Sequence, residues 1–415
     1  MTKHILKKMW NERSSNVALL LELFLIALFL WYAIDLVYVQ VRNYKQYPGW
    51  DVENTYQVKL KEILVFDKEY QDSVSIEDQS AALWSLYDRI KNYDGVESVS
   101  MSTGAMPGTK IKSFEMFITR YGIFEQREIA SPEVTTSFVD VFKIRSVYGD
   151  SESVKSALIN KHRVATSDVL NIFNSKSNTV VGDTLFTDTS LNEASEVIYE
   201  MIYPIKNNRF TSSIPMLLSN LSEGDMIYSP FYSEICIRVA SSAKEGFEER
   251  FSADIGKLFV QANMKFDGLQ YLPDSFEVYE KEVRNDLLLN SFLLIFLLTN
   301  ILIGVVGVFT NRAQKSVGEI GLRISFGATP RSAIRMFIYE GVITLLVAFV
   351  LAAIVVAILF YIGFPSVSLI PLDTARYVGV LLIVFIVMLV TLTLAVWLPI
   401  RKVTKIPPAQ SLREE

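Results

Sequence analysis

The residues able to do chemistry in this chain are few and scattered. It has two histidines, His4 and His162, and one cysteine, Cys236. No HExxH pair and no Cys/His cluster occurs, so no zinc site is expected. No GxxxxGK[ST] segment is present to cradle nucleotide phosphates, and no G-x-S-x-G elbow to raise a nucleophilic serine. Ser/Thr pairs such as Thr189–Ser190 have no evident base. The expectation is a chain without catalytic, cofactor-binding or metal-binding residues, and therefore not an enzyme. A lone cysteine forms no internal disulfide, and its simplest role is that of a small buried apolar residue.

One stretch does combine charge, periodicity and turn chemistry. It runs from Asn311 to Glu340, NRAQKSVGEIGLRISFGATPRSAIRMFIYE. Val317, Ile320 and Ile324 recur at helical spacing. Glu319 and Arg323 stand four apart with the acid first, the better order for a helical pair. Gly327 breaks this helix, and Thr329 followed by Pro330 reads as an N-cap with proline at the first helical position. A short amphipathic helix followed at once by a long one could receive a push from a partner. The same basic residues would also serve a loop that only fixes topology.

The elements that must hold this stretch are membrane spans. The chain has 415 residues, half of them hydrophobic. Four apolar runs approach the roughly 20 residues that cross a bilayer: 17–39, 287–309, 337–362 and 377–398. Basic residues gather in 1–16, in 311–335 and in the tail 399–415, which places all three in the cytoplasm with both termini inside. The outer loop 363–376 holds only Arg376, beside Asp373. The first span reads as uncleaved, because its apolar run is too long for a signal peptide. Trp31, Tyr32 and Tyr38 lie toward its outer end as an aromatic belt, and 1–16 could lie on the membrane surface as an amphipathic helix. Glu22 is the one acid near the inner part of that span, and apart from it the spans lack the polar residues that usually mark an ion or proton path. Gly304 and Gly307, and Ala348, Ala352, Ala353 and Ala357, are candidates for close helix packing. The third helix should run from Pro330 to about Ile362, and the fourth span should end at Trp397 and Pro399.

Residues 41–285 are polar and rich in acids, so the formal net charge of −5 averages two unlike parts. Nothing in that balance points to nucleic acid. Tyr56, Val58 and Leu60 alternate as a strand. Ser75 and Asp78 form a capping box, and Leu83, Leu86, Tyr87 and Ile90 follow as a helix face. Gly95 stops that helix before a return strand, VESVSMS. Ile235, Ile237 and Val239 alternate as another strand. Ser242 and Glu245 suggest a second capping box ahead of Phe247, Phe251, Ile255 and Leu258. Two strand–helix units far apart in sequence indicate an α+β domain with split βαβ halves. The part between them, 131–228, reads as an insertion of short strands. Residues 271–286 lead directly into the second span, so one helix could continue from the domain into the membrane as a stiff lever. The fold class is thus an α-helical membrane protein with four transmembrane helices and a large α+β extracytoplasmic domain between the first and second.

Gly318-Glu319-Ile320-Gly321-Leu322-Arg323, then Gly327-Ala328-Thr329, Ile334, Phe337 and Glu340, resembles the signature of FtsX/MacB-like ABC transporter permeases. Pro399, Pro408, Ser411-Leu412-Arg413 and Glu415 resemble that family's closing run. Val134 to Phe142 with Ile144 and Gly149, and Leu158-Ile159-Asn160 with Ala165 and Gly182-Asp183, more loosely resemble a MacB-type periplasmic core domain. Phe326 stands where the family usually has Leu, Ile324 follows Arg323 where it often has a second base, and Ser411 replaces its usual Ala.

The resemblance implies a permease subunit of the mechanotransmission type in a bacterial inner membrane, with 41–285 in the periplasm. It implies a separate ABC ATPase that carries the ATP and magnesium, and a second permease chain, identical or not. A membrane-fusion protein, an outer-membrane duct and the surrounding membrane lipids complete the expected partners. The implied coupling contacts are Val317, Glu319, Ile320, Gly321, Leu322, Arg323, Ile324, Gly327 and Ala328. Efflux of a drug, peptide or lipid is the implied activity. The alternative is a signal-transmitting scaffold that controls a periplasmic cell-wall hydrolase or a sensor kinase.

Overall fold

The computed structural model describes residues 13–109, 113–119, 127–170, 181–186, 195–256, 259–327, 329–364 and 373–403. Expectations for 1–12, Thr189–Ser190, Leu258, Ala328, Pro365, Pro371 and the tail beyond 403 fall outside those residues. The chain divides into two compact units, Met1–Asn43 with Arg284–Glu415, and Tyr44–Val283. The helices among the described residues are α1 (Arg13–Lys45), α2 (Ile76–Lys91), α3 (Phe138–Val141), α4 (Ser151–Ile159), α5 (Phe247–Ile255), α6 (Leu272–Lys315), α7 (Val317–Ser325), α8 (Pro330–Tyr361) and α9 (Thr374–Val403).

In the Tyr44–Val283 unit, four strands lie in the order Met264–Tyr271, Thr55–Glu62, Glu234–Val239, Val96–Ser102. Each neighbouring pair is antiparallel, with Tyr56 opposite Ile237 and Cys236 opposite Ser100. Strands Thr55–Glu62 and Val96–Ser102 are therefore parallel to each other with a third strand between them, and α2 connects them. This is the split βαβ connectivity that the two strand–helix units predict. Leu83, Leu86, Tyr87 and Ile90 of α2 and Phe247, Phe251 and Ile255 of α5 pack in one core with Val58, Val99, Ile235 and Ile237.

Ser75 caps α2 as a complete capping box: its hydroxyl accepts from the Asp78 N–H, and the Asp78 carboxylate accepts from the Ser75 N–H. The α2 helix ends at Lys91, before Gly95. The second capping box does not form. Ser241–Ala243 make a single 3₁₀ turn, and α5 starts instead after Gly246, whose φ of +65° turns the chain without a side-chain cap. Between the two halves, short strands from Phe114 to Asn220 widen the sheet to twelve strands, most of them joined by non-local pairings.

In the other unit, α1, α6, α8 and α9 are each long and apolar enough to cross a membrane. The α1, α6 and α9 helices extend past their apolar runs at both ends and α8 at its start, because polar residues there continue the helical hydrogen bonding. The α6 helix spans 44 residues, about 66 Å at 1.5 Å per residue, and its first turn places Leu272 and Phe276 in the core of the Tyr44–Val283 unit beside Trp50. The α9 helix runs through Pro399 to Val403 instead of stopping there.

Leu19, Leu23, Ala27 and Leu30 of α1, Val305 and Phe309 of α6, Leu345, Ala348, Ala352 and Val356 of α8, and Val380, Val384, Met388 and Leu392 of α9 form one core. Of the small residues singled out above, Ala348 and Ala352 are buried in it, Ala353 is half-buried and Ala357 is exposed. Gly304 packs against Glu22, whereas Gly307 has nothing near it. Gly341 marks a second close crossing: a Cβ there would lie 3.2 Å from both Leu392 and Phe309. Trp31 is buried in the bundle (2% exposed) rather than standing in an outward belt, while Tyr32 is exposed and stacks on Phe364.

Candidate functional site

The stretch between α6 and α8 is structured almost throughout. Ser316 turns the chain out of α6, its N–H donating to Ala313 O at 3.2 Å, and the Ile320 N–H then donates to Ser316 O at 2.9 Å to open α7. The Phe326 N–H donates to Leu322 O at 3.1 Å. Gly327 follows at φ +93°, a left-handed conformation that a Cβ disfavours and that ends helices. Thr329 caps α8: its Oγ1 accepts from the Ser332 N–H at 3.3 Å, with Pro330 at the first turn. The break, cap and restart read from the sequence are all present.

The side chains divide between two directions. Ile320 is 2% exposed, in the core with Phe309, Ala313, Met336 and Phe337. Val317 is half-buried. Leu322 is 49% exposed and Phe326, the residue just past the end of α7, is 84% exposed; the Phe326–Leu322 backbone bond continues the last helical turn and keeps the two on one side. Gly321 lies within α7. Glu319, Arg323 and Ile324 fall on α7, while their side chains, and Ala328 altogether, are outside the described residues. Ile320 is thus an anchor of the helix in the bundle, and the outward apolar surface is Leu322 with Phe326. Phe326 was legible only as the residue four after Leu322.

A second polar arrangement joins α1 to α9. Asp35, within α1, is 1% exposed and accepts from Arg376 of α9 at two points, Nε to Oδ1 at 2.9 Å and Nη2 to Oδ2 at 2.6 Å. The Arg376 N–H donates to Asp373 Oδ1 at 2.7 Å, and Arg42 reaches Asp373 Oδ2 at 3.4 Å. Arg376 is therefore not a loop charge beside Asp373 alone, and the spans do contain an acid besides Glu22. The run 17–39 contains Asp35, but nothing in its spacing marks a partner more than three hundred residues away. Backbone hydrogen bonding from Arg376, with Arg42 nearby, holds the Asp373 carboxyl below the usual aspartate range. Among the described residues no group of three or more His, Cys, Asp and Glu could hold a metal ion.

Four long apolar helices and a mixed α/β unit define a multi-pass membrane protein. Residues 291–408 match the family described as the FtsX-like permease C-terminal domain. The matched region includes the whole of α7 and α8, and the likeness read from the Gly318–Thr329 motif holds. No curated protein matches the chain. A crystallised domain assigned to a permease protein from Porphyromonas gingivalis is 14% identical over 54% of this chain and 92% of that one, with a TM-score of 0.33, too low a superposition to establish a shared fold.

Proposed function

We propose that this chain is the permease half of a mechanotransmission ABC transporter, in which a separate ATPase docks on α7 and hydrolyses ATP with its own magnesium. The observation that carries the proposal is the exposed Leu322–Phe326 pair, on a helix anchored through Ile320 and set between two spans inside the family-matched region. A short helix held on one side and apolar on the other can transmit a displacement into the spans that flank it. The α6 helix would act as the lever. In this reading both termini and α7 face the cytoplasm of a bacterial inner membrane, as the basic residues favour, and Tyr44–Val283 is a MacB-like periplasmic domain. The permease would act with a second copy or a sister chain. It would work in efflux of a drug, peptide or lipid through a fusion protein and outer-membrane duct.

The test is gentle extraction of the tagged chain from its native membrane, with ATPase activity and co-purifying proteins measured for wild type and for Leu322→Glu with Phe326→Glu. Recovery of an ABC ATPase that the double variant fails to retain supports the proposal. A fusion protein in the same eluate supports efflux, whereas a cell-wall hydrolase or histidine kinase supports the signalling scaffold. Equal ATPase retention by both chains, or no ATPase at all, removes α7 as the coupling element.

A further inference from the structure

Glu22 belongs neither to the α7 surface nor to the Asp35–Arg376 pair, yet it sits where a charge is expensive. Ionisable side chains within a membrane segment are costly unless something uses or compensates them. Glu22 lies on α1, near the Val17 end of its apolar run, and its Oε1 points at Gly304 of α6. A methyl group at Gly304 would overlap that oxygen, so the absent side chain is what lets the carboxyl group reach the neighbouring helix.

A cleft of ≈ 140 Å³ opens beside this contact. Glu22, Ile26, Phe29 and Leu30 line it from α1, and Leu297 and Asn300 from α6. The spacing of each set puts its residues on one helix face. Leu30 is fully buried and closes the floor, while Phe29 and Asn300 are exposed at the rim. The Asn300 amide nitrogen donates to Phe296 O at 2.8 Å, which turns its carbonyl oxygen away from that bond. Among the described residues, neither the Glu22 carboxylate nor Asn300 Oδ1 has a hydrogen-bond partner, and no cation is paired with Glu22. Apart from the second N–H of the Asn300 amide, the unpartnered polar groups of the cleft are therefore acceptors, the Glu22 carboxyl group and Asn300 Oδ1, and its walls are apolar.

We infer that this cleft holds the ammonium headgroup of a membrane-embedded amphiphile, with the group's N–H donors on Glu22 and Asn300 Oδ1 and its hydrocarbon chain left in the bilayer. Size supports the division. Whole drug-sized ligands occupy pockets of about 300–1,000 Å³, so a cleft this small takes a headgroup and not the molecule. Charge supports the choice of head: an ammonium brings both donors and positive charge to an acidic group and an amide oxygen that lack partners, whereas a phosphate brings further negative charge and a hydroxyl brings a donor but no charge. The ligand could be a resident aminophospholipid or a foreign cationic amphiphile, which share this chemistry.

The experiment is native mass spectrometry of the full-length protein released from micelles doped in turn with phosphatidylethanolamine, phosphatidylglycerol, dodecylamine and dodecanol. Wild type should retain phosphatidylethanolamine over phosphatidylglycerol, or dodecylamine over dodecanol, by about tenfold, the factor that corresponds to roughly 1.4 kcal/mol. Preference in the lipid pair alone identifies a lipid headgroup, and in the single-chain pair alone a smaller amphiphile; either supports the ammonium site. Glu22→Gln keeps the shape of the side chain and should abolish the preference. Asn300→Leu should weaken it while leaving Glu22 in place. Equal retention of the ammonium-bearing and ammonium-free members of both pairs by wild type, or an unchanged preference in Glu22→Gln, overturns the inference. Circular dichroism and size-exclusion profiles matching wild type establish that each variant is folded.

Discussion

Arg376 grips Asp35 at two points, at 2.9 and 2.6 Å, across the interface between α9 and α1, with 2% and 1% of the respective side chains exposed. The planar guanidinium fork matches both carboxylate oxygens, the geometry in which a buried pair best offsets its desolvation. Losing one partner is a different matter from losing both, because it strands the other charge. Asp35→Asn should therefore destabilise the bundle by about 3–5 kcal/mol. Arg376→Lys should recover little of this, since an ammonium cannot make two parallel bonds. The exchange Asp35→Arg with Arg376→Asp should recover part of it. Thermal unfolding of the detergent-solubilised chain checks the series, and a wild-type melting profile for Asp35→Asn would show that the pair does not hold α1 to α9.

Ile320 and Leu322 separate packing from contact within one short helix. Ile320→Asp puts a charge into the core beside Phe309 and Phe337 and should cost several kcal/mol, on the order of the penalty for an unpaired buried charge. Leu322→Asp changes a side chain that is 49% exposed, and surface substitutions usually stay within about 0.5 kcal/mol. The expected outcome is a lower melting temperature for the first variant. The second should melt normally and lose ATPase stimulation. Matched melting temperatures would contradict the burial assigned to Ile320.

What could be read from the sequence follows the range of the interactions involved. The Ser75–Asp78 box, the Thr329–Pro330 start of α8 and the strand Val96–Ser102 rest on residues within a few positions of one another, and each has its expected form. The Ser242–Glu245 pattern was equally local but lost to Gly246, whose left-handed turn restarts the chain later. Helical spacing groups Val317 and Ile320 but does not say which face is inward; that Ile320 is buried follows from its packing with Phe309 and Phe337, which lie on other helices. Asp35–Arg376 and the strand order of the Phe114–Asn220 region depend on partners far along the chain, for which periodicity carries no signal.

Cys236 behaves as a buried apolar residue. It is 1% exposed, and its thiol lies 3.2 Å from Met106 Sδ. Burial, aided by the charge of Glu234, pushes its pKa up. The thiolate is the reactive form, so both access and ionisation oppose modification. A maleimide at neutral pH should leave the folded chain unlabelled and label it at one site in denaturant, as read by intact mass. Labelling of the native chain at the denatured rate would mean that this part of the sheet is open.

Arg238 supports the second unit in another way. It is 5% exposed, and its guanidinium donates to three backbone carbonyls: Nε to Val141 O at 2.7 Å, Nη1 to Glu53 O at 2.8 Å and Nη2 to Asp51 O at 2.7 Å. One side chain thus ties the strand Glu234–Val239 to the segment leading into Thr55–Glu62 and to the end of α3. Arg238→Met keeps much of the volume but leaves these acceptors without donors, each worth about 1–3 kcal/mol where it stays buried. A loss of at least about 3 kcal/mol is expected from that range, with Arg238→Lys intermediate because it supplies donors from a single point. Limited proteolysis of the full-length protein should show earlier cleavage near residues 51–53 in Arg238→Met than in wild type. If the cleavage pattern and the melting temperature both match wild type, the three bonds contribute no net stability, and the unit is held by its apolar core alone.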